Sequence, residues 1–448
     1  MSSYIDYYRS YREMMTGNEM RSLFSEIAVS DLVNDWRELT EEEKTEIFLH
    51  LDPEKKLDLI IELPYQEQET IIESLSSQGK RALFQAMEPD DLVDLVQTLS
   101  HEVRRSVWDN LSDEAKREML FLLRFDEDDA AGMMTPRYLA IRASVSVSQA
   151  LGFIRNNVKK VEIPYYIYVL DDLQRLIGAV SIKDILSSED TLSVSEIMER
   201  KIITVLDETD REEVARTLEE HDLISIPVVD HDNLLLGVVT FDDVIDVIRE
   251  EQTEDVYKMG AMSGEVGSYI DTSMWGLVKK RVPWLIILLL FGTITTNVVY
   301  HYEELALGAA FLFVFMPVIT QTGGNTGSQS ATLMIRGLAT GEIHFRQTGI
   351  IFLREILVGL MMGLITGVVL IGRSILMPPG VATFEGLALG LSLVFVVLIS
   401  NLIGTLMPLF IHRLGFDPTV MSTPLMATVI DVCGLTIYFE TARYLLSL

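Results

Sequence analysis

Residues 282–300 read VPWLIILLLFGTITTNVVY. No charged side chain interrupts the run, and an α-helix needs about 20 such residues to cross a hydrocarbon layer about 30 Å thick. The run divides the chain: before it the sequence is polar and acidic, and after it come further apolar stretches. Five spans are predicted, at residues 283–302, 305–338, 348–373, 384–411 and 422–446. Lys279, Lys280 and Arg281 directly precede the first span, and basic residues beside a span mark its cytoplasmic side. Arg336, Arg346, Arg354 and Arg413 fall on that same side, while Glu303, Glu304 and Glu385 fall on the other. Arg373 and Arg443 run against the trend. The expectation is a multi-pass plasma-membrane protein in contact with lipid, with a cytoplasmic N-terminal half and an external C-terminus.

Charge follows the same division. Residues 1–278 carry 27 Lys and Arg against 58 Asp and Glu, a net of −31, whereas residues 279–448 carry 9 against 8. The formal charge of −30 therefore belongs to the soluble half. Such a surface repels nucleic acid, which is not expected as a partner, and attracts cations. The plainer reading is a solubilising surface. A single cysteine, Cys433, rules out a disulfide framework within the chain. The start, MSSYIDYYRSYREMM, has no apolar core of a signal peptide, so none is expected.

Residues 1–130 read as an acidic helical domain. EEEKTEIFLHL, PEKKLDLIIEL, YQEQETIIESL and PDDLVDLVQTL place apolar residues three and four apart, and Pro53, Pro64 and Pro89 mark helix starts. Repeated short helices predict an all-α superhelix. Residues 131–250 contain a repeat, IYVLDDLQRLIGAVSIKDIL (167–186) and IPVVDHDNLLLGVVTFDDVI (226–245). An offset of 59 pairs Asp171 with Asp230, Gly178 with Gly237, Ser181 with Thr240 and Asp184 with Asp243. Each copy reads strand, turn, strand, capped helix, and the α/β pair resembles tandem CBS domains. Residues 251–281 form a linker, and residues 282–448 an all-α membrane domain of five helices. The fold class is thus a multi-domain membrane protein.

Within the spans Asp431, in STPLMATVIDVCGLTIYF, stands out, because a carboxylate at bilayer depth usually faces water or a cation. The alternative is a packing Asp bonded to a neighbouring hydroxyl. Around it lie Ser422, Thr423, Pro424, Ala427, Thr428 and Gly434, small residues and a proline that allow close approach. Gln321–Ser330, QTGGNTGSQS, is expected to be irregular backbone along a cavity, with Gly324 and Asn325 lining a pore; a tight helix crossing is the other reading. Oxygen ligands without Cys or His suit a hard cation such as Mg²⁺, and one Asp per chain makes the weak site that conduction needs. No nucleophile–base set appears, so an enzyme is not expected.

The order helical domain, CBS pair, linker and five spans, with TGGNTGSQSATLMIRGLATGEI and ATVIDVCG, resembles the MgtE family of Mg²⁺ channels over essentially the whole chain. The resemblance implies a homodimer with the pore on its two-fold axis. It makes Asp431 the pore aspartate, with Ala427 and Gly434 presenting backbone oxygens and Thr423 where the family has an Asn. It also implies closure by cytosolic Mg²⁺ bound between the acidic domains and the linker, or plug, helix. The matching positions are Asp90, Asp94, Gly132, Asp210, Glu212, Asp222, Asp243, Asp246, Glu251, Glu254 and Asp255; Leu59 replaces a further acid, beside Asp58. CBS pairs also bind adenosine compounds, so Ser181 and Asp184 are candidate contacts for ATP or a related nucleotide. Lys183 and Leu223 depart from the contacts expected for tight adenine binding. The alternative function is an ion-coupled divalent-cation carrier with a nucleotide-sensing CBS domain.

Overall fold

The computed structural model describes residues 3–161, 164–262, 269, 272–420 and 423–447. They form two compact units, Met1–Ile248 and Arg249–Leu448.

The first unit opens with short helices: α1 (Ser3–Tyr11), α2 (Gly17–Glu26), α3 (Val29–Asp35), α4 (Glu41–His50), α5 (Pro53–Glu62), α6 (Tyr65–Ser74), α7 (Ser77–Ala86), α8 (Pro89–Thr98), α9 (His101–Asn110) and α10 (Asp113–Leu122). From α4 onward each begins 12 residues after the last. The sequence supplies the period. Thr40, Ser76 and Ser112 cap their helices through side-chain oxygens, and Pro53 and Pro89 occupy first positions, where the missing N–H costs nothing. Leu51, Leu63, Leu75, Met87, Leu99 and Leu111 follow the helix ends in extended conformation. All but Leu75 are buried in one continuous core. The expected superhelix is therefore a stack whose repeat is one helix and one anchoring apolar residue.

Two three-stranded sheets follow. One is β1 (Ala140–Arg142), β2 (Tyr166–Leu170) and β3 (Leu176–Ser181), accompanied by α11 (Val147–Asn157), α12 (Ile182–Ser187) and α13 (Val194–Ile197). The other is β4 (Val205–Leu206), β5 (Ser225–Val229) and β6 (Leu235–Thr240), with α14 (Arg211–Glu220) and α15 (Phe241–Met259). The registers repeat at the offset of 59: Val169 faces Gly178 and Val228 faces Gly237, each beside a bulge. Asp171 Oδ1 accepts from the Leu173 and Arg175 amides, as Asp230 Oδ1 does from those of Asp232 and Leu234.

The two copies exchange their leading segments. Thr135 and Val238 trade backbone bonds of 2.9 and 3.0 Å, and Glu199 and Ala179 trade bonds of 2.9 and 3.0 Å. Met134 thus lies over Gly237 and Met198 over Gly178. A Cβ on either glycine would stand 2.6 Å from the methionine sulfur, which is why the repeat keeps both positions bare.

Among its described residues the linker is shared between two helices. Its first part continues α15, because Val244 and Val247 keep one buried stripe and nothing breaks the helix before Gly260. Its middle, residues 263–268 and 270–271, lies outside the described residues. Its end is the start of α16 (Met274–His301), which Ser273 caps well before Pro283.

The second unit continues with α17 (Glu303–Gly308), α18 (Phe311–Ala339), α19 (Thr348–Leu376), α20 (Thr383–Arg413) and α21 (Thr423–Leu446). Among the described residues four helices are long and apolar enough to span a membrane: α16, α19, α20 and α21 from Pro424. The sequence predicted five. Helix α18 has the length, 29 residues, but its polar middle separates it from the others. That middle is also regular helix, contrary to the expected irregular backbone. Thr322 and Thr326 donate to the carbonyls four residues back at 2.7 and 2.8 Å, so their hydroxyls are satisfied without unwinding.

Candidate functional site

Ala427, Asp431 and Gly434 are spaced i, i+4 and i+7 on α21 and share one helix face. Opposite them comes α18: a Cβ built on Gly324 would lie 3.9 Å from the Ala427 Cβ. Asp431 is partly buried, Gly434 buried against Val396, and Asn325 exposed. Ser422 and the side chain of Thr423 lie outside the described residues. Among the described residues no three Asp, Glu, His or Cys side chains converge as a metal cage, so Asp431 is not part of one within a single chain.

The crowded glycines are neighbours of the one that the sequence suggested. A Cβ on Gly327 would lie 1.9 Å from Ile430 Cδ1 and 3.1 Å from the Ser400 carbonyl, and one on Gly404 would lie 2.2 Å from the Gly327 carbonyl. The α18–α20 crossing therefore runs through Gly327 and Gly404, and Gly324 faces the open side. Gly327→Ala is expected to destabilise the membrane domain by about 1–3 kcal/mol, the usual cost of overpacking. Gly324→Ala is expected to leave stability unchanged. Thermal unfolding of both variants in detergent checks this; equal midpoints would show that the crossing yields freely.

Among the acids expected from the sequence to be regulatory, the structure gathers some and separates others. Asp94 on α8 and Asp243 on α15 join one cluster with Asp91, Asp242 and Glu88. Burial, then Asp243 and Asp94, push the Asp91 carboxyl up to about 7. Burial, partly offset by the Thr240 hydroxyl that donates to it, pushes Asp243 up to about 6. Sequence reading chose Asp90 and Asp94 and passed over Asp91. Asp90 is buried in α8, and Asp246 stands exposed one turn beyond Asp243.

Asp210 forms a second group, as a bridge partner of Asp129. The Asp129 carboxyl is raised by partial desolvation, then by Asp126, Asp210, Asp128 and Glu208. Gly132 closes this turn, its amide 2.8 Å from the Asp129 carbonyl; a Cβ there would meet the Asp126 carbonyl at 2.1 Å. Asp210 caps α14, accepting from the Glu212 amide at 2.8 Å. Asp222, exposed and with φ 52°, follows the far end of α14, about 15 Å away along the axis. One chain therefore does not bring Asp222 to Asp210.

Glu251, Glu254 and Asp255 occupy the end of α15 in the second unit. Lys258 Nζ lies 2.9 Å from Glu254 and 2.9 Å from Asp417 in the α20–α21 loop. Burial, then Asp417, raise the Asp255 carboxyl. Sequence reading passed over Asp417.

A cavity of about 600 Å³ in the CBS pair is lined by Tyr165, Tyr166, Ser181, Ile182, Lys183, Leu186, Ser187 and Ile224. Ser181 lines it as expected. Asp184 does not, although its carboxylate accepts from the Ser181 hydroxyl at 2.6 Å.

Comparison with known proteins agrees with this arrangement. Residues 316–441 match a family of divalent cation transporters, 27–128 the MgtE intracellular N domain, and 130–189 and 194–250 CBS domains. The magnesium transporter MgtE of Thermus thermophilus is 41% identical over 335 residues, 73% of this chain and 72% of the relative. That of Enterococcus faecalis is 35% identical over 95% of this chain and 93% of the relative. A crystal structure of the cytosolic domain of the Mg²⁺ channel MgtE in complex with ATP is similar at 33% identity and a TM-score of 0.51, covering 53% of this chain and 98% of that one. With its acidic helical stack, CBS pair and apolar helices around Asp431, the chain belongs to the MgtE family of magnesium transporters.

Proposed function

We propose that the protein is a Mg²⁺ channel that carries Mg²⁺ into the cell and that cytosolic Mg²⁺ closes. The observation that carries this reading is the single helix face of Ala427, Asp431 and Gly434 opposite Gly324. One carboxylate among backbone and small-residue oxygens can hold a hydrated Mg²⁺ weakly enough to release it. Five spans, with α18 as the fifth, put the N-terminal half in the cytosol and the C-terminus outside the plasma membrane. Two chains form a homodimer in lipid, and the symmetry axis brings two copies of Asp431 to one path. The regulatory ligands are Asp90, Asp94, Gly132, Asp210, Glu212, Asp222, Asp243, Asp246, Glu251, Glu254 and Asp255, joined by Asp91 in the α8–α15 cluster. ATP or another adenine nucleotide is the candidate occupant of the Ser181 cavity, with the Lys183 ammonium meeting phosphate.

Recording from purified protein in a planar bilayer, with Mg²⁺ as the only permeant cation, tests the channel reading. Unitary currents that reverse with the Mg²⁺ gradient are expected. Flux that instead needs a proton or sodium gradient and shows no unitary steps would establish the coupled carrier.

A further inference from the structure

Asp431 is not the only acid within the membrane helices. Glu355 lies in α19, seven residues from its start, in a segment apolar enough to span. The Asn401 side-chain amide donates to Glu355 Oε2 at 2.9 Å and to the Glu355 backbone carbonyl at 2.9 Å. On its other side the Asn401 carbonyl oxygen accepts from the Ser330 hydroxyl at 2.5 Å. Asn401 is 1% exposed and Ser330 5%. The relay therefore ties α19, α20 and α18 at one level, and both amide N–H groups of Asn401 are engaged by Glu355. Gly359, one turn on, leaves room for it: a Cβ there would stand 3.2 Å from the Asn401 Cβ.

The relay adjoins the seat of the residue before Asp431. Ile430, 1% exposed, reaches into the notch made by Gly323, Gly327 and the Ser400 carbonyl. Ser400 precedes Asn401, and Ser330 is one turn beyond Gly327. Depth agrees as well. Glu355 and Asp431 lie about 11 and 12 Å from the starts of α19 and α21, and Ser330 and Asn401 about 14 and 18 Å from the ends of α18 and α20. The Ser330–Asn401–Glu355 bonds hold those three residues at one level, and the contact of Ile430 with Gly327 keeps Asp431 close to it.

We infer that Glu355 is a positioning residue for Asp431: through Asn401 and Ser330 it fixes the α18–α20 crossing that seats Ile430, and so sets the direction in which Asp431 projects. Without the carboxylate, one N–H of the buried Asn401 side chain is left unpaired. Asn401 then turns or draws away from Ser330, the notch opens, and Ile430 and Asp431 rotate with it. A glutamine side-chain oxygen accepts the same bond, so the inference requires an acceptor at 355 and not a charge. It rests on the reading of Asp431 as the ion-recognising group.

Initial Mg²⁺ influx into proteoliposomes, measured against external Mg²⁺, separates half-saturating concentration from maximal flux. Glu355→Ala is expected to raise the half-saturating concentration about five- to tenfold, the scale of one buried hydrogen bond. Ser330→Ala, which cuts the relay at its other end, should shift it in the same direction, and Glu355→Gln should restore it. Asp431→Ala combined with Glu355→Ala should be no worse than Asp431→Ala alone, because one acts through the other. An unchanged half-saturation in Glu355→Ala and Ser330→Ala, beside an inactive Asp431→Ala, would overturn this inference alone. Glu355→Gln behaving like Glu355→Ala would also overturn it, by showing that charge is what matters. Full flux in Asp431→Ala would instead remove the ion-recognition reading beneath it. Should Glu355→Ala fail to assemble, the Ser330→Ala and Glu355→Gln pair decides by the same criterion.

Discussion

Asp431→Ala is expected to lower Mg²⁺ flux at least about a hundredfold, while the protein still folds and dimerises. The magnitude follows from removing the charged acceptor that holds the hydrated cation, worth about 3 kcal/mol where roughly 1.4 kcal/mol is a factor of ten. Folding is spared because the buried anchors of this part of α21, Met426 and Ile430, lie on the side packed against α18 and α20. Asp431→Asn keeps the shape and one oxygen, so it should fall between the two. Proteoliposomes loaded with a Mg²⁺ indicator give the flux, and gel filtration in detergent gives the assembly state. Wild-type influx through Asp431→Ala would exclude this residue from ion recognition.

The second large effect concerns closure. Neutralising the α8–α15 cluster, as Asp243→Asn with Asp246→Asn, or deleting residues 1–130, should leave the channel conducting at cytosolic Mg²⁺ that silences the wild type. Carboxylates crowded by burial repel one another, and a divalent cation between them converts repulsion into attraction. On the proposed gating, several weak sites acting together would give a steep response. Protons compete with Mg²⁺ for these carboxylates. Asp91 at about 7 and Asp243 at about 6 stand above the ordinary aspartate value. Their raised values mean that the compact cluster is most stable fully protonated, near pH 4 and below, and loses that stability as pH rises through about 6 and 7. Acidifying the cytosolic face to about pH 5.5 protonates Asp91 and should therefore raise the Mg²⁺ concentration needed for closure, and Asp91→Asn should remove much of that pH dependence. Protease resistance of the soluble half, followed with and without Mg²⁺, reports the compaction independently of flux. Variants that still close on adding Mg²⁺ would locate the gate among the membrane helices.

The sequence carries some of this plainly. The 59-residue repeat is legible because Gly178 and Gly237 answer a packing demand that admits no other residue. Helix starts are legible because caps and prolines act locally. The 12-residue period of the helical stack is also written there, in the leucines after each helix, but apolar spacing within helices draws attention away from the residue between them. The site is legible as a segment and less so as a register. Gly323, Gly324 and Gly327 look alike in the sequence, and only the partner helices tell which is crowded. Asp91 escapes notice because two of the carboxylates that raise it, Asp242 and Asp243, lie on α15, 150 residues later. Glu355 is masked by Arg354 beside it, which makes that position look like a helix end at the membrane surface. The helical path of α18 through its glycines depends on hydroxyl side chains bonding backward, which composition alone does not reveal.

The exchanged leading segments of the CBS pair constrain the order of synthesis. Thr135 leaves the ribosome about a hundred residues before its partner Val238. Chains grow at about 5–20 residues per second, so this strand waits several seconds or more with its edge unsatisfied. The helical stack before it depends on neighbours close in sequence and can be finished while translation continues. Once Val238 emerges, barely forty residues remain before the first apolar run must be handed to the membrane. The nascent protein therefore completes its CBS pair and begins insertion almost together, and a pause in translation just after the second repeat would favour yield over one placed earlier.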